Sequence, residues 1–259
     1  MRKPLLTLWL AAAALCWAWG GAIARAGEVG PAGSDSPATM DQAIAMIERA
    51  RERFKGVSDY ECLVVKRERL GGVLQPEAML EMKVRTKPLA IYLKGLSPRS
   101  EKGMEISFVE GRNNGMMRLH LNGFIGLFGF FSIAPDDPRV LQRTRHSIRN
   151  ADLGGLLEET ARHFSRERDP AKTQVHITEE QVGGRTAYLV ETVHPEANPG
   201  LYYGYRCQIW LDKETMMPAG AATYDWPKRN GEPGGDLLES YRFHALKLNP
   251  GITDRVFFK

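Results

Sequence analysis

The sequence predicts an α+β fold: a large curved antiparallel sheet of about ten strands, an open half-barrel, with an N-terminal helix and a second, inserted helix packed on it. Three observations carry that prediction. Residues 237–248 (LLESYRFHALKL) alternate Tyr241, Phe243 and Ala245 with Ser240, Arg242 and His244, and the run is about twice the length of an ordinary strand. Turn signals such as Gly71-Gly72 and Asn113-Asn114-Gly115 separate short alternating runs, as hairpin-linked antiparallel strands require. Only two stretches repeat with helical spacing, so the apolar strand faces exceed what the helices can cover.

The chain opens with Arg2-Lys3, an apolar stretch over 5–19 and the small-x-small triplet Ala24-Arg25-Ala26. That is the anatomy of a signal peptide, residues 1–26, removed on export. Its apolar stretch is shorter than the ~20 residues of a membrane span. The protein is therefore expected in the periplasm or cell envelope, with no transmembrane span after cleavage. Lipid attachment at Cys16 is not expected, because Leu15 precedes it where a small residue is needed. Residues 27–39, rich in Gly, Pro, Ser and Ala, read as a disordered leader, and 40–259 as a single domain. The basic excess, 35 Lys+Arg against 31 Asp+Glu, is mostly Arg2, Lys3 and Arg25 of the signal. The mature chain is near neutral, and no nucleic-acid partner is expected. Cys62 and Cys207 form an even pair, which in an exported chain permits a disulfide; two buried free thiols on separate strands is the other reading.

From Asp41 the pattern is helical. Ala43, Ile44, Ile47, Ala50 and Phe54 share a face, Thr39 stands where a cap is needed and Gly56 stops the run. Strands follow over 60–69, 77–86, 89–94, 103–110 and 116–122, each bounded by Gly, Pro or Asn. The segment 123–134 (GFIGLFGFFSIA) has no charge. It reads as a buried strand or loop filling the core, as a mobile apolar flap at the mouth of a cleft, or as a loop that touches a membrane. A short helix is expected over 139–145 and a longer one over 153–164, capped by Asp152. Strands resume over 174–181, 186–193, 203–212, 218–226 and 237–248.

Motifs of catalysis are missing. There is no His-Glu-x-x-His, no Gly-x-Ser-x-Gly, no phosphate loop and no Cys-x-x-Cys. The six histidines have no ligand spacing, so neither a metal nor another cofactor is expected. The surplus of apolar strand faces is instead the feature that asks for an explanation. It can be closed by a second sheet, by barrel closure or by a ligand. If a ligand closes it, the candidate lining residues are Leu80, Met82, Val84, Ile106, Phe108 and Leu119 on the first strands. Ile209, Tyr241 and Phe243 would join them from the last strands, with Phe128 and Phe131 as a gate.

The run Glu239-Ser-Tyr241-Arg-Phe243, followed by Leu248-Asn249-Pro-Gly251-Ile-Thr-Asp254-Arg-Val-Phe257, resembles the closing strand of the LolA/LolB-like lipoprotein-carrier fold. Trp210-Leu-Asp212, with Pro218 opening the return strand, resembles a hairpin of that fold. Asp59-Tyr60-Glu-Cys62, Lys66-x-Glu68, Lys83-x-Arg85-x-x-Pro88, Val109-Glu110-Gly111 and Tyr224-x-Trp226-Pro227 are similar to a related, uncharacterised exported family of unknown function. The resemblance implies a half-barrel with helices against its concave side, enclosing a cavity for acyl chains. The expectation is a non-enzymatic carrier for a lipid or lipoprotein acyl chain. A scaffolding or regulatory module that binds an envelope protein through the sheet is the alternative. A hydrolase whose site assembles only in space is a third reading.

Overall fold

A computed structural model describes residues 38–198, 200–228 and 231–258. The elements run α1 (Met40–Phe54), β1 (Asp59–Leu70), β2 (Val73–Leu74), β3 (Ala78–Arg85), β4 (Ala90–Ser97), β5 (Glu105–Val109) and β6 (Met117–His120). Then come α2 (Gly123–Gly126), β7 (Phe130–Ile133), α3 (Pro138–Leu141), α4 (Leu153–Arg166), β8 (Gln174–Val182), β9 (Arg185–Val193), β10 (Arg206–Asp212), β11 (Pro218–Tyr224) and β12 (Leu237–Leu248). The predicted signal peptide lies outside the described residues, as does the predicted leader apart from its last two. Those two are structured: Ala38 bridges to Val175 on β8, and Thr39 closes a capping box with Gln42 at the start of α1.

The strands form one open antiparallel sheet in the order β7-β6-β5-β4-β3-β1-β12-β11-β10-β9-β8, with β2 paired to β1. It is the large antiparallel sheet the sequence predicts, with twelve strands in place of about ten. The long closing strand sits at its centre. β12 pairs with β1 from Tyr60↔Leu248 to Glu68↔Glu239, and its other side pairs with β11. One detail departs from the simple alternation. A bulge interrupts the register near Glu61/Leu63, and Ala245 opposite it has φ of 51°. The extra residue flips the side-chain phase. Tyr241 and Phe243 face the core, but beyond the bulge Leu246 and Leu248 take over that face while Ala245 is exposed.

The inner face carries two apolar clusters. One gathers Tyr60, Val64, Met82, Val84, Ile91 and Phe108 across β1, β3, β4 and β5. The other packs Ala43, Ile47 and Ala50 of α1 and Leu157 and Phe164 of α4 onto Val190, Ile209 and Leu211. Part of the outer face, over β4 and β5, is covered by the tail after β12. Asn249, with φ of 54°, accepts the Ser58 amide through its side chain at 2.7 Å. Asp59 Oδ1 accepts the Gly251 and Ile252 amides at 2.9 and 3.2 Å. So directed, the tail lays Phe257 against Ala90, Tyr92 and Val109, and Ser107 donates to the Phe257 carbonyl.

Cys62 and Cys207 are free thiols in this structure, Cys62 buried and Cys207 half-buried. They lie on β1 and β10 with β12 and β11 between them. At the spacing of neighbouring strands that is roughly 14 Å, about twice the reach of a disulfide.

Phe257 is 1 % exposed and holds the tail to the outer face. Phe257→Ala is expected to lower unfolding free energy by about 3–5 kcal/mol, read from urea denaturation. A loss no larger than that of a surface substitution would show that the tail is not part of the core.

Candidate functional site

Strand register builds the site. One row across the inner face runs Ala78, Lys66, Tyr241, Ala221, Ile209, Val190, Ile177; the next runs Glu68, Glu239, Thr223, Cys207, Thr192, Val175. Above these rows lie α4 and the strap formed by residues 142–152. Asp152 starts α4 by accepting the Gly154 and Gly155 amides at 3.0 and 2.9 Å, and Tyr60 Oη accepts the Leu153 amide at 2.8 Å. Between strap, helix and sheet is a cavity of about 370 Å³, within the size range of small-molecule sites.

The cavity is two-sided in character. Val64, Leu80, Met82, Leu93, Ile209 and Phe243 from the sheet, with Leu156 and Phe164 from α4, make an apolar wall. Lys66, Arg145, His146, Glu159, His163, Tyr203 and Glu239 make a polar one. Behind it, Glu68 is nearly fully buried and accepts from Lys66 Nζ at 2.8 Å, Tyr241 Oη at 2.6 Å, and Thr144 Oγ1 and the Arg145 amide, both at 3.1 Å. Glu239, equally buried, accepts from Arg145 Nε at 2.8 Å, and His146 Nε2 lies 2.9 Å from the same oxygen. A carboxylate only accepts, so that imidazole nitrogen carries the proton. Arg145 also donates to Tyr203 Oη at 3.1 Å.

Charges follow from this wiring. Burial pushes the Glu68 carboxyl up, but the Lys66 ammonium and the donated hydrogen bonds outweigh it and hold the group below the usual carboxylate range. Burial likewise works against charge on His146, and the Glu239 hydrogen bond with the charges of Glu239, Glu159 and Glu68 raises it above the usual histidine value. Burial lowers His163. It raises the Tyr241 and Tyr203 phenols, with Glu239 adding to the effect, and pushes the Cys62 and Cys207 thiols up to about 12. A second buried pair, His194 and Glu167 at 3.1 Å, joins the end of β9 to the C-terminal end of α4. Among the described residues no group of three or more His, Cys, Asp or Glu side chains is placed to hold a metal.

Of the residues singled out from sequence, Leu80, Met82, Ile209, Tyr241 and Phe243 line the cavity together. Val84, Ile106 and Phe108 pack instead into the core under β3–β5, and Leu119 sits half-buried between Ile106 and Phe131. Phe128 and Phe131 are exposed and do not line the cavity. They sit beyond it because β6 and β7 form the far edge of the sheet. The polar wall was missed. Period-two reading of 60–69 does place Lys66 and Glu68 on the face of Tyr60 and Val64, whereas Arg145 and His146 sit in an irregular strap that has no period.

Residues 57–259 match the family model described as "Protein of unknown function (DUF1571)". The chain belongs to that family. The DUF1571 match spans the whole sheet, the strap and α4, and begins just after α1; it bears out the expected kinship with a family of unknown function. No curated protein matches the sequence. Among solved structures, the chain is similar to an uncharacterized conserved protein from Thermus thermophilus, with 9% identity, 84% of this chain and 93% of that one covered, and a TM-score of 0.48. It is similar to the lipoprotein LppX of Mycobacterium tuberculosis, with 12% identity, 82% and 98% covered, and a TM-score of 0.46. A putative outer membrane lipoprotein-sorting protein domain from Vibrio parahaemolyticus shares 10% identity, with 85% and 97% covered and a TM-score of 0.40.

The wiring makes the pH response of the site testable. Because the folded His146 is raised, its contribution is complete below the unfolded value of roughly 6.5 and fades as pH rises through the folded one. His146→Gln keeps a donor but no charge, so its stability deficit against the wild type should be largest in acid and shrink toward pH 8. A deficit constant with pH would contradict the assignment. Both thiols are held near 12, with Cys62 buried and Cys207 half-buried at the cavity wall; they should resist iodoacetamide in the folded protein at pH 8 and react promptly in guanidinium.

Proposed function

We propose that this DUF1571 protein is a non-enzymatic carrier of the cell envelope that holds the acyl chain of a lipid or lipoprotein in the cavity. The observation that carries the reading is the cavity itself, whose apolar wall faces space that neither α4 nor the strap fills. Withdrawing an acyl chain from water contributes about 25 cal/mol for each Å² buried, and the polar wall supplies partners for an ester or head group. The signal-like segment supports placement in the envelope. Among the described residues no helix is long and apolar enough to cross a membrane.

One observation favours a second reading, a hydrolase. Folding does gather Glu68, Glu159, Glu239, His146 and His163 near one end of the cavity. Glu68 and Glu239 are, however, already engaged by Lys66, Tyr241, Arg145 and His146. An acid or base for catalysis needs a partner left free for substrate; Glu159 is paired with Arg162 at 2.6 Å, which leaves His163 as the one group of the five not so engaged, and the carrier reading is preferred.

Native mass spectrometry of protein purified from its own host should show co-purifying lipid. Delipidated protein should take up a fluorescent fatty acid, and Ala221→Trp, which fills the cavity, should weaken uptake by roughly tenfold or more. A delipidated protein that binds no fatty acid, or a filled cavity that binds as before, would sink the reading.

A further inference from the structure

The sequence offers the segment 123–134 three places, the core, the mouth of a cleft or a membrane surface, and its first part, 123–129 (GFIGLFG), decides between them. The structure puts it in neither of the first two. α2 and the turn after it project Phe124, Leu127 and Phe128 into solvent at 76%, 79% and 69% exposure. These are three of the most exposed large apolar side chains among the described residues, and they form one knuckle, with Phe124 and Phe128 edge to face at 5.7 Å. A contiguous exposed patch of this kind marks an interaction site.

The knuckle is built, not frayed. Gly123 and Gly129 take φ of 67° and 83°, and a Cβ on Gly126 would fall 2.2 Å from the Leu121 carbonyl oxygen. Glycine supplies every position where the backbone must bend, and the described side chains between are all large and apolar. The turn also satisfies itself: the Leu127 amide donates to the Phe124 carbonyl at 3.2 Å and the Gly129 amide to the Gly126 carbonyl at 3.0 Å. Each of these internal bonds leaves one fewer donor and acceptor open when the turn enters an apolar phase.

Its surroundings name the occupant. Asn122 Nδ2 donates to the Ser100 carbonyl at 2.6 Å, which ties the knuckle to the turn after β4. That turn exposes Arg99 and Lys102, with Glu101 between them half-buried, and Arg118 lies over the Phe130 ring at the knuckle's base. A protruding apolar tip beside exposed cations fits a bilayer surface with anionic head groups. The register Lys66↔Ala78, Met79↔Ser97, Lys94↔Glu105, Glu105↔His120 places the knuckle toward the same end of the sheet as the polar wall of the cavity.

We infer that residues 123–129 are a membrane-docking knuckle that inserts Phe124, Leu127 and Phe128 into an anionic lipid surface. The inference rests on the carrier reading and deepens it by giving the cavity a surface from which to load or unload. Protein purified from its own host should sediment with phosphatidylcholine vesicles containing phosphatidylglycerol. F124S/L127S/F128S should weaken that by roughly tenfold or more, while R99E/K102E should weaken it only when phosphatidylglycerol is present. The emission of F128W should move to shorter wavelength on vesicles. A wild type that stays in the supernatant, a triple variant that sediments like the wild type, or an unmoved F128W emission would each overturn the inference. Fatty-acid uptake from solution separates the two ideas. Uptake without vesicle binding overturns the knuckle alone, and vesicle binding through the knuckle without uptake overturns only the cargo.

Discussion

Two carboxylates face each other across the central strand pair, and much of the molecule is arranged to make that tolerable. Glu68 and Glu239 are directly opposite in the β1–β12 register, on the inner face and almost wholly buried. Like charges so placed repel, and removing either from water is costly. Lys66 and Tyr241 from the same two strands answer part of this. Thr144, Arg145 and His146 answer the rest, and they come from the strap. The strap is thus a requirement of the sheet's own centre, and its attachment holds a roof above the inner face.

The space under that roof has a local cause. In the rows beneath α4 the inner positions of β9, β10 and β11 include Thr192, Cys207, Ala221 and Thr223, all small. Where neighbouring strands present Tyr241 or Phe243, β11 presents a methyl group. α1 places its apolar face on α4 and on the β8–β10 side, so it does not reach this region. The cavity is the residue of these choices, lined with hydrocarbon on one side and a saturated charge network on the other.

The sheet, the two longer helices and both helix caps were readable because each depends on local periodicity or a single capping residue. Strand faces were readable up to Ala245, where one inserted residue in the left-handed region changed the phase. Five residues of the cavity lining were readable because Leu80, Met82, Ile209, Tyr241 and Phe243 sit on unbroken alternation. Phe128 and Phe131 were misplaced, since hydrophobicity alone does not say whether an apolar turn is buried or displayed. The charge clamp was not readable as a unit. Its members are separated by up to 175 positions, Lys66 to Tyr241, and only the pairing of the first strand with the last brings them together.

That pairing has a bearing on how the chain acquires its shape. β3 to β7 form one contiguous meander and β8 to β11 another, and each consists of neighbours that meet early. β1, by contrast, is made first and its central partner is made last. As the chain emerges, the open side of β1 stays unpaired until β12 arrives, and closing that long loop is the slow kind of contact. The two halves are therefore joined by a final, most distant seam, and a chain interrupted before residue 237 has two half-sheets with exposed edges and no means of uniting them.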